Sequence, residues 1–133
     1  MTIEIERPKY DDIQDDSCPA HEALTRCRCV IATSGGAGGK MEAAIPTADG
    51  QLCYGVTKQD ADADATVELA VKGIVELEAA SAITAGARVV NETGTGKIKT
   101  ASGAVYYCGI ARESAVEAGH LISVLWMPGY MPS

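Results

Sequence analysis

Phenylalanine is absent from this 133-residue chain and tryptophan occurs once, so an interior built on broad aromatic layers is excluded. Val, Ile, Leu and Ala must fill the core, and small side chains favour thin, closely spaced layers. Histidine is scarce too: His21 and His120 are the only two, and neither sits in a pattern that pairs it with a nucleophile. Basic residues are few, 11 Lys and Arg against 18 Asp and Glu, for a net charge of −7. Phosphate recognition needs clustered cations, so nucleic acid is not an expected partner. No run approaches the ~18 apolar residues of a membrane span, so no membrane partner is expected. The opening Met1-Thr2-Ile3-Glu4-Ile5-Glu6 lacks the apolar stretch of a secretory leader, and the expectation is a protein made in the cytoplasm.

Five cysteines, an odd count, fit a reducing compartment in which thiols stay free. Cys18, His21, Cys27 and Cys29 lie close in sequence, and sulfur and imidazole are zinc's usual donors. Their spacing matches no finger or ribbon, so no metal ligand is assigned. The cysteines are read as small buried hydrophobes, with a zinc-binding module kept as an alternative. Cys53 and Cys108 flank a glycine in similar surroundings and read as packing residues.

Other chemical motifs fail on inspection. Ser34-Gly35-Gly36-Ala37-Gly38-Gly39-Lys40-Met41 resembles a phosphate loop, but Ser34 replaces the first glycine and Met41 replaces the magnesium-binding hydroxyl. A hairpin loop accounts for it. Asp60, Asp62 and Asp64 alternate like a calcium loop, yet Ala65 stands where the turn glycine belongs. No catalytic residue and no cofactor is assigned, and the chain does not read as an enzyme.

What the chain does contain is one pattern written twice. Arg28-Cys29-Val30, a glycine-rich turn to Gly39-Lys40, Leu52-Cys53-Tyr54-Gly55-Val56 and Val67-Glu68-Leu69-Ala70-Val71 form the first copy. Arg88-Val89-Val90, Gly94-Thr95-Gly96-Lys97, Tyr106-Tyr107-Cys108-Gly109-Ile110 and Leu121-Ile122-Ser123-Val124-Leu125 form the second. The same spacing separates Gly55 from Val67 and Gly109 from Leu121. Short β-branched runs punctuated by glycine predict an all-β domain made of two similar halves, a small β-barrel or β-tulip-like body. Strands are predicted near 25–32, 40–45, 52–58, 66–78 with a break at Gly73, 87–92, 97–101, 104–111 and 121–127. Residues 78–82 and 113–118 are candidate short helices, each too short to stand alone. Gly86 and Gly119 each end an Ala-Gly turn that leads into a strand, where a positive φ is expected.

Residues 1–20 are acidic and poor in apolar side chains, and read as an extended N-terminal arm ahead of a β domain over 21–133. Ile3 and Ile5 alternate with glutamates, so the arm can add as a strand to a neighbour. The largest apolar residues cluster at the other end, in Trp126-Met127-Pro128-Gly129-Tyr130-Met131. Ile3, Ile5, Tyr10, Trp126 and Tyr130 are the candidate interface residues, with Trp126 also able to plug its own barrel.

The order Gly73-Ile74-Val75, Ala82-Ile83-Thr84-Ala85-Gly86-Ala87-Arg88-Val89-Val90, Gly96-Lys97, Gly109-Ile110-Ala111 and Ala118-Gly119-His120-Leu121-Ile122-Ser123-Val124 resembles the tailed-phage capsid cement, or head decoration, proteins. The resemblance spans about residues 26–127 and rests on structural turns and strands. It implies a non-enzymatic protein on the outer capsid surface of the virion, bound as a homotrimer and clamping neighbouring major capsid proteins. A competing reading is a lipoyl- or biotinyl-like carrier barrel with Lys72 as the modified residue, although the usual hairpin context is missing.

Overall fold

The computed structural model describes residues 14–132 and is all-β apart from one short 3-10 turn at Ala37–Gly39. Ten strands follow in chain order. The first half holds β1 (Asp15–Pro19), β2 (Cys29–Thr33), β3 (Glu42–Ala44), β4 (Gly55–Thr57) and β5 (Thr66–Ala70). The second holds β6 (Gly73–Glu78), β7 (Arg88–Asn91), β8 (Ile98–Thr100), β9 (Ala104–Ala111) and β10 (Leu121–Pro132). Each half makes its own five-stranded antiparallel sheet, ordered β1-β5-β4-β2-β3 and β6-β10-β9-β7-β8. The two orders are the same arrangement, strand for strand.

The correspondence extends to single hydrogen bonds. Leu24 and Ala61 exchange backbone bonds of 2.8 and 3.0 Å in the first half, and Ile83 and Ala115 exchange bonds of 2.9 Å in the second. His21 N–H donates to the Ala43 carbonyl as Ala80 N–H donates to that of Ile98. Each sheet curls until its outer strands touch at one parallel bridge, Ala20 to Ala43 and Ala79 to Ile98, and stops short of a closed barrel.

Alternation in the strands explains the burial. In β5, Val67 and Leu69 point inward while Glu68 faces out. In β6, buried Val75 and Leu77 alternate with exposed Ile74 and Glu76. Two small cores result, one around Leu24, Val30, Val67 and Leu69, the other around Leu77, Ile83, Ile98 and Val124. Leu24 and Ile83 are counterparts in the two halves, as are Leu69 and Val124, and aliphatic side chains dominate both cores, in keeping with a composition without Phe. Trp126 is the one large ring, and it is 6% exposed in the second core.

The two candidate helices, at 78–82 and 113–118, do not form. Glu78 ends β6, Ala79 bridges to Ile98, and Ala115 bridges to Ile83. A few residues cannot repay helix nucleation, and the alanines serve instead as small buried contacts, Ala79 at 0% and Ala115 at 2% exposure. The expected break at Gly73 is present, and β9 has the predicted limits. β10 runs past its predicted end by means of a register shift between Trp126 and Gly129. Pro128 falls within that shift, where its missing N–H leaves no ladder bond unmade. Of the expected arm, residues 15–19 form β1 against β5, while Ile3, Ile5 and Tyr10 lie outside the described residues.

Gly86 and Gly119 have φ of 89° and 93°. Their first-half counterparts are Cys27 and Asp64, which donate the matching backbone bonds to Thr57 and Ala20. These two are the described non-glycine residues with positive φ, at 61° and 68°. The turn geometry is therefore a property of the repeated unit, kept even where the residue is not glycine.

Candidate functional site

The halves stack in tandem, and this asymmetry creates the candidate site. In the first sheet, Asp15, Ala70, Val56 and Cys29 lie side by side across four strands. Val56 and Cys29 are 2% and 1% exposed because this outer face packs on the second half's core. The backbone joins the halves too: Cys29 N–H donates to the Gly96 carbonyl at 2.7 Å, and Glu78 N–H to that of Cys27 at 3.0 Å. The Glu78 carboxylate sits between Arg28 at 3.3 Å and Lys97 at 3.1 Å. Burial alone would raise its pKa, but the two cations outweigh that and hold it below the ordinary carboxylate value.

The equivalent row in the second sheet is Ile74, Leu125, Ile110 and Arg88. Ile74 and Leu125 are 56% and 38% exposed, Arg88 is exposed and touched by Met131 at 3.7 Å, and Ile110 is half-buried. Met127, further along the strand from Leu125, is exposed as well. On the β9–β10 extension Tyr106 and Tyr130 are directly paired, with ring centroids 4.9 Å apart, and both are exposed. They alternate with Tyr107 and Met131, the residues that touch Arg88, and so face the other way. Arg88 lies 5.2 Å from the Tyr107 ring centroid, a cation–π contact that fixes the guanidinium at the edge of the patch. Exposed Ile74, Leu125 and Met127, bordered by Arg88 and Tyr107, have the composition of an interface centre.

Of the residues expected at an interface, Tyr130 is exposed, paired with Tyr106 on the extension. Trp126 is not: it plugs the second core, and the outward residues of its strand are Leu125 and Met127. Ile74 and Leu125 were missed by sequence reasoning. Their strands alternate in the ordinary way, and only the stacking of the halves shows which outer face stays bare.

The cysteines are also rearranged relative to expectation. Cys18 lies in β1, Cys27 precedes β2 with its thiol 3.8 Å from the Glu76 carboxylate, and His21 pairs with Glu42 at 3.1 Å. These residues do not converge with Cys29. The group that does converge is Cys29, Cys53 and Cys108, all buried, with sulfurs within 4.8 Å of one another. Cys29 is held above its ordinary pKa by its bonds to the Cys108 and Cys53 sulfurs and by burial. The bonds from the Cys29 and Cys53 sulfurs pull the Cys108 thiol the other way, below its ordinary value. Asp60 accepts the Arg26 N–H at 2.9 Å, so it serves a turn. Lys72 lies between β5 and β6, which belong to different sheets, so it is not at the tip of a hairpin as a carrier lysine would be.

The fold and its surface define a class: a small, tandemly duplicated β module whose distinguishing feature is an exposed apolar face. The sequence model of the phage cement protein family matches residues 12–126, and the chain belongs to that family of structural phage proteins. The N base of the head fiber gp8.5 of bacteriophage phi29 has the same fold, with a TM-score of 0.70 at 16% identity. The match covers 90% of this chain and 98% of that one. No curated protein sequence matches the chain.

Proposed function

We propose that the chain is a non-enzymatic head decoration protein of the virion, attached to the outer capsid surface as a homotrimer and stabilising contacts between major capsid proteins. The observation that carries this reading is the bare outer face of the second sheet, on a chain that belongs to the cement family. Its counterpart in the first half is covered by the next β unit along the chain. In the trimer, the next β unit is the first half of a sister copy. A face that meets a different surface on its neighbour makes a head-to-tail contact, and three such contacts close a ring. Three capsid-binding copies in one body then bind with avidity, so each individual contact stays modest. The net charge of −7 directs that attachment toward basic capsid patches.

The test is light scattering together with cosedimentation on expanded, undecorated heads. The intact protein is expected to measure as a trimer and to pellet with heads. Ile74→Asp and Leu125→Asp, which alter exposed positions, are expected to give folded monomers that pellet weakly. A trimer that survives both substitutions removes this face from the assembly, and a chain that is monomeric throughout contradicts the proposal.

A further inference from the structure

We propose that Cys29, Cys53 and Cys108 form a binding site for a thiophilic d10 metal ion, copper(I) or zinc(II), which fastens the two halves together. Three observations point there. The donor set is purely sulfur, the ligand type that selects such ions over magnesium or calcium. The spacing fits: three sulfurs bound at the ~2.3 Å typical of zinc–thiolate lie ~4 Å apart around a common centre. Here Cys29 and Cys108 sulfurs are 3.6 Å apart and all three lie within 4.8 Å. The third observation is access. Cys29 and Cys108 are each 1% exposed, but Cys53, at 7%, borders a groove of about 270 Å³ lined by Ala32, Leu52 and Tyr54. An ion can enter there, and water in the groove can supply the fourth ligand that zinc prefers.

The position gives the site a role. Cys29 on β2 and Cys53 before β4 belong to the first half, and Cys108 on β9 belongs to the second. A single ion therefore cross-links the two halves inside the second core, where residues of both already pack. No repeat rule put these residues together: by the Gly55–Gly109 correspondence, Cys53 matches Tyr107 and Cys108 matches Tyr54. Each thiol that ligates releases its proton to solvent, with no change in oxidation state, so the binding is pH-dependent and needs no co-reactant.

The experiment loads the full chain, reduced and metal-free, with copper(I) under argon or with zinc(II), passes it over a desalting column and measures retained metal and thermal midpoint. Near-equimolar retention of either ion and a raised midpoint are expected for the intact protein. Cys53→Ser is expected to lose both the retention and the shift. Cys18→Ala, outside the trio, is expected to keep them. If Cys53→Ser does not fold, Cys53→Ala with circular dichroism as the folding check serves in its place. The ion that stays bound identifies the natural class. Retention of neither ion, or equal retention by the Cys53 variants, overturns the site.

Discussion

Replacing one residue at equivalent turns of the two halves tests the duplication directly. Gly119 has φ 93° and no atom within 4 Å of the place a Cβ would occupy. An alanine there meets no clash, so its cost is the left-handed backbone alone, about 1–2 kcal/mol. The stiffer unfolded chain offsets roughly 0.4–1 kcal/mol of that, leaving a net loss near 1 kcal/mol. Valine, β-branched, is expected to lose about 2–3 kcal/mol at the same site. Asp64, its counterpart at φ 68°, already carries this strain while exposed to solvent. Asp64→Gly therefore relieves the backbone and loosens the unfolded chain by similar amounts, and is expected within about 0.5 kcal/mol of neutral. Thermal melts at one fixed protein concentration read the difference, at about 4 °C per kcal/mol for a chain of this size. A neutral Gly119→Val, or an Asp64→Gly that loses more than about 1 kcal/mol, would refute the shared-turn reasoning.

Gly109 presents a different constraint. A Cβ there would lie 2.0 Å from the Leu125 carbonyl oxygen, whereas at Gly55 the nearest atom, the Ala70 carbonyl oxygen, is 2.9 Å away. Gly109→Ala is expected to cost about 3 kcal/mol or more and Gly55→Ala clearly less, as read by urea denaturation. Glu78→Gln removes the carboxylate between Arg28 and Lys97 and is expected to cost about 1–2 kcal/mol at neutral pH. Because the folded pKa of Glu78 is depressed, its contribution is present above the unfolded value of about 4.3 and is lost as pH falls through the folded value. The gap between wild type and Glu78→Gln should thus close in melts run progressively below about pH 4. A gap that persists in strong acid would assign the effect to packing.

Much of this architecture was legible as sequence. The absence of Phe pointed to narrow cores, and the doubled glycine-punctuated pattern gave two halves because each half must repeat the same turns to curl the same way. The alignment of the halves was one residue off at β2. The shared Arg-x-Val text equated Arg28 with Arg88, but Val30 pairs with Gly55 as Val89 pairs with Gly109, which equates Cys29 with Arg88. Those two residues also show what sequence could not give. They occupy the same place in the repeat, yet one is buried against the other half and the other stands on open surface. Which face is covered depends on how the halves stack, and no local pattern records that. The thiol trio was hidden for the same reason, since its members come from inequivalent positions and meet only across the junction. Trp126 was ambiguous because a lone large apolar residue suits a core and an interface equally well.

Cryo-electron microscopy of expanded, undecorated phage heads mixed with the purified protein addresses the central claim most directly. Added density on the outer surface, threefold symmetric and bridging neighbouring capsid subunits, is the predicted result. Heads that remain bare at saturating protein would contradict it.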